Sequence, residues 1–147
     1  MNSGDDALAA DDLVLSAFLR IGSVIGMLDE SELYLYLLDA VFEMVPAKHA
    51  AIILATDDGE RFRSGIYRKR GLDVDAAFVP RTETIRGVLE TGKPLMNNAH
   101  SPPALCALMQ TRARKLGVIY AEVPLAESGF APKHLKYMIA IAGLASG

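Results

Sequence analysis

The chain has few of the residues on which covalent and metal chemistry usually depend. It holds a single cysteine in 147 residues, which excludes an intramolecular disulfide and a cysteine-based zinc site. A lone thiol is typical of a reducing compartment, so we expect a cytoplasmic protein. The three histidines, His49, His100 and His134, lie far apart in the sequence and lack the spacing of metal ligands. We therefore expect no metal site and no cofactor.

Other classes of protein are disfavoured by further absences. No apolar run approaches the roughly 20 residues of a membrane-spanning helix, and the first residues lack the pattern of a signal peptide. The net charge of −3 gives no general attraction to nucleic acid or to an anionic membrane. The basic runs Arg68–Arg70 and Arg112–Lys115 carry no interleaved stacking aromatics, so nucleic-acid binding is not expected. The sequence contains neither a P-loop nor a G-x-G-x-x-G motif.

The apolar content is what the chain has in abundance. At 51% of residues it is enough to build one buried core. Residues 1–10 are small, polar and acidic, and we predict that this tail is disordered. Residues 11–147 are predicted to form a single domain. The chain stops at Gly147 without a clear end signal, so we expect it to be part of a longer protein.

Hydrophobic periodicity predicts the order of helices and strands. A first helix from Asp11 carries an apolar seam with alternating steps of four and three, formed by Val14, Phe18, Ile21, Ile25 and Leu28. Asp29-x-x-Glu32 resembles a capping box and opens a second helix, which Pro46 ends. The remaining segments are predicted to be a hairpin around Asp58-Gly59, a helix at 83–91 capped by Thr82, a short strand at 94–97, a hairpin at 105–122, and a helix from Pro132. Gly117, in the second strand of the last hairpin, indicates a close approach of another backbone. The inner face of the last helix is predicted to carry Leu135, Met138, Ile139 and Ala142.

Two segments of the chain resemble parts of a GAF domain. LGVIYAEV at 116–123, followed by Phe130 and a helix, is similar to the end of that fold. TETIRGVLETGKPL at 82–95 resembles a second GAF segment. The resemblance implies an α+β fold with a central antiparallel sheet of five or six strands. It also implies that the N- and C-terminal helices lie together on one face of that sheet.

The function implied by the resemblance is that of a non-catalytic regulatory or sensory domain. Such domains occur in bacterial signal-transduction and transcription-regulatory proteins, where they are attached to an output domain. We expect a homodimer formed by the seam of the first helix together with Ile141 and Leu144 of the last. A ligand-free homodimerisation scaffold is the first alternative. A GAF-like reductase is the second, although those enzymes use several cysteines and this chain has one.

A small-molecule ligand, if one binds, is expected between the sheet and the helix that follows Thr82. The polar candidates there are Arg63, Tyr67, Thr84, Asn97, Asn98 and His100. Only residues 99–104 connect the neighbouring strands, so we expect a shallow or open pocket rather than an enclosed one. No residue is predicted to be catalytic, because Cys106 lies in an apolar strand and Asp57 and Asp58 belong to a turn.

Overall fold

The computed structural model describes residues 29–70, 80–99, 102–123 and 129–145. The predicted tail at 1–10, the seam Val14, Phe18, Ile21, Ile25 and Leu28, and His100 all lie outside the described residues. The described elements, in chain order, are α1 (Glu30–Met44), β1 (His49–Ala55), β2 (Phe62–Lys69), α2 (Thr82–Thr91), β3 (Leu95–Asn97), β4 (Ala104–Gln110), β5 (Lys115–Glu122) and α3 (Pro132–Leu144).

Helix α1 begins where the capping pattern predicts. The Asp29 carboxylate accepts a hydrogen bond from the Glu32 backbone N–H at 2.9 Å, which satisfies one of the free donors at the start of the helix. One side of the helix is buried, and two of its acidic residues reach the neighbouring strand β2. There Glu30 and Asp39 lie within ion-pair distance of two arginines of β2, at 3.7 and 3.5 Å.

The strands form an antiparallel sheet in the order β2-β1-β5-β4-β3. Strand β1 is buried on both faces from Ala50 to Ala55, which explains why its apolar residues do not alternate with polar ones. Gly117 of β5 has a φ of 150°, and a Cβ atom there would overlap the Ile53 carbonyl of β1. The predicted close backbone approach at this glycine is therefore confirmed.

The two faces of the sheet carry different helices. On one face α1 and α3 pack together over a core that includes Leu37, Ile52 and Met138. On the other face α2 packs over β4 and β5, and its Val88 joins a second core. The predicted α+β fold is confirmed, with five described strands. None of the three described helices is long and apolar enough to cross a membrane.

Helix α2 starts one residue earlier than predicted. Thr82 is its first helical residue rather than its cap, and Arg81 stands at the cap position without a side-chain capping bond. The other end of the helix is well anchored. Gly92 adopts the left-handed conformation, with φ 72°, and Lys115 Nζ donates to the Leu89 carbonyl at 2.5 Å. The N-terminal end therefore has fewer local restraints than the C-terminal end.

Helix α3 corrects one assignment in the predicted dimer surface. Ile141 is fully buried in the core of its own protomer, together with Met138 and Ala142. Ile139, which was expected on the inner side, is instead 44% exposed. Each residue advances about 100° around a helix, so Ile139 points away from the neighbouring Met138. Leu144 is half-buried and packs against the same core.

Candidate functional site

Four opposed residues, three of them polar, form a row across one end of the sheet, on the face that carries α2. His49 of β1 lies opposite Glu122 of β5, Glu122 lies opposite Ala104 of β4, and Ala104 lies opposite Asn97 of β3. Directly opposed residues on neighbouring strands point to the same face. Glu122 follows Tyr120 by two residues, and Tyr120 belongs to the core beneath α2, so the row lies on that face.

The centre of this row is a buried carboxylate. Glu122 is only 8% exposed, and the Tyr120 hydroxyl donates a hydrogen bond to its Oε2 at 2.6 Å. His49 Nδ1 lies 3.7 Å from the other carboxylate oxygen. Burial raises the pKa of Glu122, and the Tyr120 hydrogen bond, His49 and Arg81 oppose part of that rise. Tyr120, His49 and Arg81 therefore offset part of the cost of burying the charged form of this carboxylate.

Tyr120 connects the carboxylate to the start of α2. Burial is the main cause that raises the pKa of the Tyr120 hydroxyl, and Glu122 adds to it, so the phenol keeps its proton and donates a hydrogen bond to the carboxylate. The backbone of Arg81, at the start of α2, acts in the opposite sense and lowers the same pKa. The start of α2 therefore contributes to the electrostatic environment of Tyr120 and, through it, of Glu122.

A small cavity opens beside this row, between the start of α2 and β3. Its volume is about 250 Å³, and it is lined by Arg81, Glu83, Thr84, Leu95 and Asn97. Three of these residues are exposed at the surface, whereas Thr84 is buried. The cavity is therefore open on one side, and we name it the α2-side cavity. Its volume is below the roughly 300–1,000 Å³ of typical pockets for drug-sized ligands.

Comparison with known proteins bears on this architecture. Neither a protein-family model nor a curated protein matches the sequence. Among solved structures, the chain is similar to the GAF domain from an Acinetobacter phosphoenolpyruvate-protein phosphotransferase. The two share a TM-score of 0.60 over 90% of each chain, with 13% sequence identity. This chain has a GAF-like fold. The likeness is one of fold, and it agrees with the resemblance carried by residues 82–95 and 116–123.

Two of the predicted ligand-binding residues of this GAF-like chain come together. Thr84 and Asn97 both line the α2-side cavity. Tyr67 of β2 lies on the same face but two strands away from Tyr120, in the row that runs through Ala51. The Tyr67 ring lies over Gly65, where a Cβ atom would overlap its hydroxyl. Tyr67 therefore belongs to this face of the sheet but not to the lining of the cavity.

Arg63 and Asn98 are on the opposite face. The pairing of β1 with β2 shifts register near Ala55, and Arg63 turns there toward α1, where it lines a separate cleft with Tyr34 and Ile66. Arg63 Nε donates to the Ala55 carbonyl at 3.1 Å. Asn98 follows β3, and both ends of its side-chain amide bond to the backbone of Phe130. Neither residue meets Thr84 and Asn97.

Sequence reasoning missed Glu122, Tyr120, His49 and Arg81 as parts of one cluster. The available signal was a single carboxylate near the end of the apolar run 116–123, two residues after a tyrosine. In a half-buried strand this spacing places both side chains on one face. The pairing of Glu122 with His49 depends on strand register, which no local pattern reveals.

Two larger clefts lie on the side of the sheet that carries α1 and α3. The first, of about 530 Å³, lies between the start of α1 and β2 and includes Arg63. The second, of about 510 Å³, lies at the end of α1 and includes Arg70 and His134. Arg70 donates to the carbonyls of Ala47 and Val45 at 2.7 and 2.8 Å, so its guanidinium supports the end of α1. In the described ranges, no group of three or more histidine, cysteine or acidic residues is placed to hold a metal ion.

Proposed function

We propose that this GAF-like chain is a non-catalytic regulatory domain that senses a small polar molecule in the α2-side cavity. The observation that carries the proposal is the buried Glu122–Tyr120–His49 cluster beside an open cavity lined by Thr84 and Asn97. Burying a carboxylate costs free energy unless it is paired and hydrogen-bonded. Buried titratable groups with perturbed pKa values cluster at functional sites, so this cluster supports a binding role for the neighbouring cavity.

The lining of the cavity favours a ligand with both donors and acceptors. Thr84 offers a hydroxyl, Asn97 an amide, and Arg81 a guanidinium that pairs well with a carboxylate or phosphate group. Leu95 adds an apolar wall. The volume of about 250 Å³ favours a small metabolite over a whole nucleotide.

The chemistry of the other reactive groups supports a non-catalytic role. Cys106 is fully buried beneath α2, and burial raises the pKa of its thiol, so the nucleophilic thiolate is disfavoured. Asp58 is held by the Thr56 hydroxyl and the Glu60 backbone N–H within the β1–β2 turn. Asp57 pairs with Arg114 of the neighbouring turn at 2.6 Å. These carboxylates stabilise turns rather than form an acid–base pair.

We propose that the chain is part of a cytoplasmic bacterial signalling or transcription-regulatory protein and that an output domain is attached to it. The similar GAF domain comes from a phosphotransferase, which illustrates such a domain within a larger protein. We propose that two copies associate through the terminal helices. The support is the exposed Ile139 of α3, which is 44% accessible.

The test is a thermal-shift screen of the protein against a panel of small carboxylated, phosphorylated and amino metabolites. A ligand that binds only the folded state raises the melting temperature. T84V and N97A should weaken the response, whereas R63A, which changes the cleft on the opposite face, should leave it intact. A response that R63A abolishes and the first two variants spare would place the ligand elsewhere.

The second candidate is a ligand-free homodimerisation scaffold, favoured by the small volume and open side of the α2-side cavity. It predicts that no member of the panel changes the melting temperature. It also predicts that T84V and N97A leave dimerisation unchanged.

A further inference from the structure

Successive residues at the end of β3 point to opposite faces of the sheet. Leu95 and Asn97 line the α2-side cavity, whereas Met96 packs against the core under α1 and α3. Asn98 continues this alternation and also reaches the α3 side. Two adjacent asparagines thus contact the two faces, one at the cavity and one at the start of α3.

Asn98 holds the backbone immediately before α3. Its Nδ2 donates to the Phe130 carbonyl at 2.8 Å, and its Oδ1 accepts from the Phe130 N–H at 2.9 Å. Both backbone groups of one residue are therefore satisfied by a single side chain 32 positions away. We call this pair of bonds the Asn98 clamp.

The residues around the clamp are arranged to keep it in place. The Phe130 ring is buried in the core. Its centroid lies 6.1 Å from that of the His134 ring of α3, and the two rings are nearly perpendicular. Gly129 passes so close to the Asn98 amide that a Cβ atom would overlap it. Ala131, next in the chain, stands at the cap position of α3. Movement of Asn98 would therefore displace the first turn of that helix.

Strand β3 is the element of the sheet most easily displaced. It has three residues, lies at an edge of the described sheet and, among the described strands, pairs only with β4. The start of α2, which forms the opposite wall of the cavity, lacks a side-chain cap. An occupant of the cavity would therefore press on two weakly restrained elements, one of which carries the clamp.

We infer that Asn97 and Asn98 couple the α2-side cavity to α3: occupancy at Asn97 shifts β3, and the Asn98 clamp passes the shift to the first turn of α3. The inference rests on the proposed function only in taking this cavity as the sensing site. It assigns Asn98 a positioning role and no contact with the ligand.

The test uses a side chain as the occupant, so that it needs no ligand. L95W places an indole in the cavity, in a chain that has no other tryptophan. Amide hydrogen exchange over residues 130–138 is then measured in four proteins: wild type, L95W, N98A and L95W/N98A. L35W is the matched control, because Leu35 is 38% exposed, against 37% for Leu95, and lies on the opposite face.

We expect L95W to change exchange at the start of α3 several-fold, and L35W to leave it unchanged. In the N98A background, L95W should have no further effect there. The coupling is overturned if L95W leaves α3 unchanged, or if it acts equally with and without Asn98. Should N98A fail to fold, G129A displaces the same amide by contact and takes its place. A metabolite screen without binders would refute the sensory proposal and leave this result standing.

Discussion

At the scale of single residues, the Glu122 carboxylate gives the clearest pH dependence. An unfolded chain ionises this group near pH 4.5, whereas the folded protein keeps its proton to higher pH because burial raises the pKa. The contribution of Glu122 to the free energy of unfolding should therefore fall as the pH rises above 4.5, and level off above the folded pKa.

E122Q removes this titration. Urea unfolding at several pH values should show that the variant gains stability relative to wild type as the pH rises from 4.5 toward neutrality. E90Q, at an exposed position on α2, serves as the control for the loss of one carboxylate. A constant difference between E122Q and wild type across the range would contradict the raised pKa.

Cys106 illustrates a second consequence of burial at one residue. It has no exposed surface and lies opposite Tyr120 beneath α2. The folded protein should react slowly with a thiol reagent and quickly once urea is added. C106S should lower the free energy of unfolding by about 1–3 kcal/mol, since a hydroxyl is costly to bury without good partners. Fast labelling of the native protein would refute this placement.

At the scale of elements, the start of α3 depends on the neutral form of a histidine. His134 Nδ1 accepts a hydrogen bond from the Ala131 backbone N–H at 2.9 Å, and the backbone N–H of His134 donates to the Ala131 carbonyl at the same distance. An imidazolium cannot accept that bond. Burial, followed by the charge of Lys133, lowers the pKa of His134 in the folded protein.

The stability that His134 contributes should therefore be complete above pH 6.5 and decline as the pH falls from there through the folded pKa. H134A should cost about 0.5–2 kcal/mol at pH 7.5, a typical loss for a helix cap. H134N keeps an acceptor near the same position and does not titrate, so it should preserve stability and weaken the decline. The readout is urea unfolding at pH 7.5 and 5, where an unchanged decline in H134N would assign it to another group.

At the scale of the whole molecule, the prediction is a homodimer at micromolar concentration. The dimer is expected to use residues 11–28 and 132–145, and Ile139 is the large apolar side chain that the described part of α3 exposes. I139E should give a folded monomer in light scattering. I141E is its partner experiment, because a charge at that fully buried position should unfold the protomer. A wild-type protein that stays monomeric at high concentration would refute the assembly.

Most of the fold could be predicted because its signals are local. The Asp29-x-x-Glu32 pattern, the Asp58-Gly59 turn and the change from helical to strand periodicity each act over a few residues. A glycine in the middle of an apolar strand, Gly117, correctly indicated a close backbone contact. The predictions that differ from the structure concern the first residue of α2 and the inner face of α3. Ile139 was predicted to face the core and Ile141 to lie at the dimer surface, whereas Ile139 is exposed and Ile141 is buried. Two apolar residues two positions apart on a short helix do not define a unique inner side.

The order of the elements and the buried character of Cys106 could be read from the chain, because both follow from short-range patterns of apolar and turn residues. The α+β arrangement was implied by the resemblance to GAF domains. Which polar groups meet depends on the tertiary structure. Strand register brought Glu122 to His49, a register shift turned Arg63 toward α1, and alternation along β3 separated Asn97 from Asn98. Side-chain direction in a strand reverses at every residue, so a functional cluster built across strands depends on pairings between distant segments.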